Sequence, residues 1–96
     1  MAIDQKAYLL LQHVQALEAT KKSLEERKKM LEETLKKLEE LGKDRKIYIN
    51  VYNALLVESS YDEAKKIIEE EIALLESRIA KIEKQIEEIK SKLTLS

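Results

Sequence analysis

The sequence predicts a mainly α-helical fold, in which two long helices pair as an antiparallel coiled-coil hairpin and are joined by a short β-hairpin. Apolar residues recur with alternating spacings of three and four along both halves of the chain. Between the halves, roughly from Gly42 to Ser60, the pattern switches to β-branched and aromatic residues. The composition is that of long helices, with 16 Glu and 15 Lys among 96 residues, no Pro, and Gly42 as the single glycine. At this length the chain is read as one domain, residues 1–96, too small for a large compact core unless a partner adds buried surface.

The first helix is expected over residues 3–41. With Ile3, Leu10, Leu17, Leu24, Leu31 and Leu38 at heptad position d, position a falls on Ala7, Val14, Lys21, Lys28, Leu35 and Gly42. Lys21 and Lys28 therefore interrupt the seam in mid-helix. Either their aliphatic stems lie along the partner helix while the ammonium groups reach water, or the pair loosens the coil there. Gly42 fits the left-handed residue that ends a helix.

The β-hairpin is expected over 45–58. Lys46-Ile47-Tyr48-Ile49-Asn50-Val51 and Ala54-Leu55-Leu56-Val57 are strand-like, with Tyr52-Asn53 between them and Asn53 able to take positive φ. A turn without Gly leaves its type and register open.

The second helix is expected over 61–95. Ser60-Tyr61-Asp62-Glu63 reads as a capping box, with Ser60 as the cap and Glu63 reaching back. Ile68, Leu75, Ile82 and Ile89 fall at d, and Ile72, Ile79, Ile86 and Leu93 at a. Acid-to-Lys pairs at i, i+4, such as Glu18/Lys22, Glu39/Lys43 and Asp62/Lys66, should support the outer faces by about 0.2–0.5 kcal/mol each. Short connections and similar lengths, about 58 Å and about 52 Å at the helical rise, fold the helices back on each other. Both chain ends then meet at one end of a rod and the hairpin sits at the other.

Several functions are excluded by what the chain lacks. The net charge is −1 with the two signs interleaved, so there is no basic face for a phosphate backbone and no nucleic-acid partner is expected. There is no Cys, and the lone His13, at a seam-flanking g position beside Val14, has no second imidazole with which to share a metal. No Gly-rich phosphate loop is present, and carboxylates spread along solvated faces lack the concave site that shifts catalytic pKa values. Neither catalytic residues, nor a metal, nor a cofactor is expected. No apolar stretch approaches the roughly 20 residues that span a bilayer, and no signal-peptide pattern is seen, so the expectation is a soluble, unprocessed, cytoplasmic protein without membrane contact. Heavy Lys/Glu use without Cys or Trp is compatible with a hyperthermophile source, and a designed helical protein would look similar.

Two apolar anomalies remain. An isolated two-stranded hairpin is marginal in water, and this one has Ile47, Ile49 and Val51 on one face with Tyr48, Tyr52 and Leu56 on or near the other. Its open edges invite strands from another chain, which implies an oligomer joined through hairpins. The alternative is a hairpin folded down over Ile67 and Leu74, which sit at outward c positions. At the other end, Tyr8 and Leu9 fall at b and c, Leu11 at e, and Leu95 is brought alongside at c. Apolar residues clustered at the end of a charged rod suit a site for apolar segments; frayed termini or a further coil contact are the alternatives.

The first helix, then Ile47-Tyr48-Ile49-Asn50-Val51-Tyr52-Asn53-Ala54-Leu55-Leu56-Val57-Glu58, then Ser-Ser-Tyr-Asp-Glu-Ala opening the second helix, together resemble prefoldin over nearly the whole chain. The family hairpin, Tyr-x-x-Val-Gly-x-x-Leu-Val in outline, is matched by Tyr48, Val51, Leu56 and Val57, with Tyr52 where the family usually has Gly. That departure bears on the turn and not on the fold. Family subunits are α-type with two hairpins or β-type with one, and the short linker suits the β-type, although Ser-Tyr-Asp-Glu-Ala-Lys-Lys resembles the α-type. The resemblance implies a jellyfish-shaped hexamer whose hairpin strands pair between subunits into a β-barrel platform. It further implies coiled-coil tips that hold unfolded proteins and pass them, without ATP, to a group II chaperonin. Client binding would fall on Ile3, Tyr8, Leu9, Leu11, Leu93 and Leu95. The oligomer interface would fall on Ile47, Tyr48, Ile49, Val51, Leu55, Leu56 and Val57. The implied partners are other prefoldin subunits (α-type, or further copies of this chain in a hexamer or another homo-oligomer), unfolded proteins and the chaperonin. The rival reading is a structural coiled-coil adaptor or scaffold without chaperone activity.

Overall fold

A computed structural model describes residues 4–51 and 55–95. The elements follow in the order α1 (Gln5–Leu41), β1 (Ile47–Val51), β2 (Leu55–Ser59) and α2 (Tyr61–Leu95), the arrangement that the periodicity predicts. Ile3 lies outside the described residues. Asp4 caps α1: its carboxylate accepts a hydrogen bond from the Lys6 N–H at 3.1 Å and its carbonyl one from the Tyr8 N–H at 3.0 Å.

Gly42 ends α1 with φ +79° and donates its N–H to the Leu38 carbonyl at 3.3 Å, the single bond of the left-handed cap. A Cβ at Gly42 would meet nothing within 4 Å, so any cost of a side chain there is backbone strain alone. Gly42→Ala is therefore expected to lose about 1 kcal/mol. Urea denaturation followed by circular dichroism at fixed protein concentration checks this: the midpoint should fall with an unchanged slope. An unchanged or higher midpoint would show that the left-handed cap is not kept in solution.

At the start of α2 the Glu63 N–H donates to Ser60 Oγ at 3.1 Å, so Ser60 is the cap. The other arm differs from expectation. Glu63 accepts a hydrogen bond from the Ser59 hydroxyl at 3.3 Å, because Ser59 offers a freely rotating donor one residue earlier. Since Ser59 is the last residue of β2, this bond ties the strand to the helix that follows it.

The chain divides into two compact units. In the unit formed by Met1–Arg27 and Leu75–Ser96, Val14 of α1 and Ile86 and Ile89 of α2 are buried, with Leu10, Leu17, Ile82 and Leu93 packed against them. Leu75, at 2% exposure, and Ile79 complete the buried positions of α2 here. These are the predicted a and d places. Ion pairs Glu18–Lys90 (3.6 Å) and Lys21–Glu83 (3.5 Å) link the helices in antiparallel order. Lys21 is half-buried with its ammonium on Glu83, the stem-in, head-out arrangement.

In the unit Lys28–Leu74, Leu38 and Ala64 are buried, and Leu31, Leu35, Ile68 and Ile72 are half-buried. Glu39–Lys65 (4.0 Å) joins the helices, and Lys43, just past the end of α1, pairs with Asp62 (3.7 Å) while its ammonium lies 5.7 Å from the centre of the Tyr61 ring. Glu18 and Glu39 thus reach across to the other helix, and Asp62 to Lys43 just beyond the end of α1, rather than along their own helices to Lys22, Lys43 and Lys66, and Lys66 pairs with Glu70 at 4.0 Å. The along-helix pairs are worth only about 0.2–0.5 kcal/mol, so a cation facing a seam-flanking carboxylate readily displaces them. Exposed cross-helix pairs add little stability and serve mainly to set orientation.

Candidate functional site

β1 and β2 form a two-stranded antiparallel sheet in the register Ile47↔Ser59, Tyr48↔Glu58, Ile49↔Val57, Asn50↔Leu56 and Val51↔Leu55. The connection falls in residues 52–54, so Tyr52, Ala54 and the positive-φ expectation for Asn53 lie outside the described residues. Directly opposed residues share a face and successive residues alternate. One face therefore carries Ile47, Ile49, Leu55 and Val57, and the other Tyr48, Asn50, Leu56 and Glu58. Ile47 and Ile49 are half-buried; Tyr48, Leu55, Leu56 and Val57 are exposed. Val51 belongs to β1, while its side chain is not described. Among the described residues the outer edge of each strand has no neighbour in the sheet, which leaves backbone donors and acceptors for another strand. Ile67 and Leu74 are also about half exposed, so the hairpin does not lie down over them.

In the other unit Tyr8, Leu9 and Leu11 cover a broad arc of the first turns of α1, each about half exposed. The only polar handle among them, the Tyr8 hydroxyl, accepts a hydrogen bond from the Gln12 side-chain amide at 3.1 Å. Leu93 is half-buried and packs into the Val14 cluster. Leu95 is the last residue of α2, and its side chain, like all of Ile3, is outside the described residues. The hairpin set is thus brought together on one small sheet, and three of the end set stand together at one helix start.

Chemically these surfaces offer apolar contact and open strand edges. Among the described residues no group of three or more His, Asp or Glu side chains could hold a metal ion, and no helix is long and apolar enough to cross a membrane. Two open grooves are lined largely by charged side chains, Glu18, Lys21, Glu83 and Lys90 in one unit and Asp62, Lys65 and Glu69 in the other. Sequence reasoning passed over two further exposed apolar side chains, Met30 and Leu41. Their heptad positions, outward c for Met30 and seam-flanking g for Leu41, were the available signal.

The family model described as "Prefoldin subunit" matches residues 5–95. Among solved structures, the prefoldin beta2 subunit from Thermococcus strain KS-1 is similar at a TM-score of 0.81 and 32% identity, over 95% of this chain and 96% of that one. The prefoldin beta subunit from the same strain also superposes at a TM-score of 0.81. Its identity is 24%, with 97% of this chain and 87% of that one covered, and this second likeness speaks for the fold alone. A search of curated proteins returned no match.

Proposed function

This chain belongs to the prefoldin family, and from that premise we propose that it is a β-type subunit acting as an ATP-independent holdase. In this reading it assembles with other prefoldin subunits through its hairpin, holds unfolded proteins at the coiled-coil end bearing Tyr8, Leu9 and Leu11, and hands them to a group II chaperonin. The single hairpin among the described residues supports the β-type. The observation that carries client holding is the exposure of three large apolar side chains at the start of a helix whose other outward positions are mostly charged. An unfolded chain displays apolar segments of no fixed sequence, and a shapeless apolar arc accepts them without demanding a particular geometry.

The assay is aggregation of several unrelated denatured proteins, followed by light scattering with no nucleotide present. The holdase reading expects suppression of all of them at near-stoichiometric ratios. An adaptor dedicated to one folded partner would suppress none, and that result would sink the proposal. Delivery is checked separately, by adding a group II chaperonin with ATP and asking whether the held protein regains activity.

A further inference from the structure

In the unit Lys28–Leu74 the two flanks of the helix pair differ in kind. One flank holds the Glu39–Lys65 and Lys43–Asp62 ion pairs, and its outward positions include Lys29, Lys36, Lys66 and Glu69, all exposed. On the opposite side of α1, Met30, Thr34, Lys37 and Leu41 follow at spacings of four, three and four. On the opposite side of α2, Ala64, Ile67, Glu71 and Leu74 follow at three, four and three. Residues so spaced share a helix face, and because the ion pairs occupy one flank of both helices, these two rows share the other. With Glu39 opposite Lys65, Met30 stands level with Leu74, and Leu41 is about one turn from the level of Ile67.

The shared flank is apolar and open. Met30 is 67% exposed, Leu41 54%, Ile67 49% and Leu74 50%. The Thr34 hydroxyl donates to the Met30 carbonyl at 2.8 Å, which satisfies its polar group within the helix. Only Lys37 and Glu71 interrupt the stripe. A solvated coiled coil has no use for Met30 and Leu74 facing outward at one level, with Ile67 and Leu41 on the same flank nearer the hairpin, beside a flank whose outward positions are mostly charged.

We infer that this flank is covered by a second copy of this chain, as a continuation of the hairpin interface; the inference rests on the assembly reading above. Continuity is one argument: Leu41 is the last residue of α1 and Ile67 lies in the second turn of α2, so the stripe begins at the root of the hairpin. Size is the other. The hairpin contributes two strands of 5 residues each, well short of the roughly 20–30 residues a side of a standard stable interface. The flank supplies apolar surface next to the strands without a separate docking event.

The chain has no Cys, so single thiols report coverage directly. In the assembled protein, Leu74→Cys should react with a maleimide about tenfold more slowly than Glu69→Cys on the charged flank, the ratio that burial for about nine-tenths of the time produces. Adding Val57→Glu, which breaks the hairpin contact, should make the two rates equal. As a second measurement, Ile67→Glu with Leu74→Glu should raise the dissociation constant by about 100-fold, as loss of central apolar contacts does. Both positions face outward, so helicity by circular dichroism should hold. Equal labelling rates in an assembled parent would overturn the covered flank while leaving the hairpin interface standing. A parent that is monomeric alone would overturn assembly with a second copy. An unchanged mass for Val57→Glu counts against the hairpin interface only, and the Leu74→Cys rate then decides the flank by itself.

Discussion

A variant carrying Tyr8→Ser, Leu9→Ser and Leu11→Ser is expected to lose nearly all suppression of aggregation while keeping its helicity and oligomer mass. Fully burying a large apolar side chain is worth about 1.5–3 kcal/mol, and each of these begins about half exposed. Covering the exposed halves therefore contributes about 3 kcal/mol per subunit, or roughly 100-fold in affinity. In the proposed assembly, several subunits gripping one client would act through effective concentration, so the loss would compound across the assembly. The fold should tolerate the change, because none of the three belongs to the buried seam and Ser costs only about 0.5 kcal/mol per helical position relative to the best formers. The readout is light scattering of denatured proteins beside circular dichroism and a mass measurement. If the triple variant protects as well as its parent, clients are held elsewhere.

Val57→Glu is expected to bring the light-scattering mass down toward that of a single chain. Val57 pairs with Ile49 on the apolar face of the hairpin and is exposed within the chain. A carboxylate there stays hydrated in the free subunit and disturbs little. In an assembly that buries this face the charge must be stripped of water without a cation to meet it, which costs several kcal/mol and multiplies the dissociation constant by at least about 100. Helical circular dichroism should be nearly unchanged, because the seam residues do not depend on the strands. A mass that does not move would remove the hairpin from the interface.

The seam was legible because burial follows period: Val14, Leu38, Leu75, Ile79, Ile86 and Ile89 occupy a or d and are buried. Ala64 was not, since a small residue at a flanking position becomes buried only through neighbours that no repeat reveals. Gly42 and Ser60 were legible as punctuation because their chemistry is local. The Asp4 cap was missed because Ile3, just before it, continues the d register and draws the eye past it. The existence of the hairpin was readable from β-branched residues, but its register was not: pairing Val51 with Leu55 depends on connecting residues without glycine. Charge pairing was misread in detail, because i, i+4 spacing describes one helix, whereas Glu18 and Glu39 answer to the other and Asp62 to a lysine just past its end. The end surface was legible as residues, since Tyr8, Leu9 and Leu11 break a charged pattern. Leu93, by contrast, is a seam residue as much as a surface one.

The sheet of two strands leaves one outer edge on each of them. In the language of polymerisation, a chain that assembles by these edges as proposed is a bifunctional monomer. Head-to-tail edge pairing either cyclises, which consumes every edge, or grows as an open chain with two reactive ends at any length. No finite open chain of this subunit alone is self-capping, so a discrete particle made only of this chain requires ring closure, with strand twist setting the number of members. Ring–chain balance then predicts the response to crowding: closed particles keep their size as concentration rises, whereas any that fail to close lengthen. A companion subunit presenting only one open edge would act as a chain stopper.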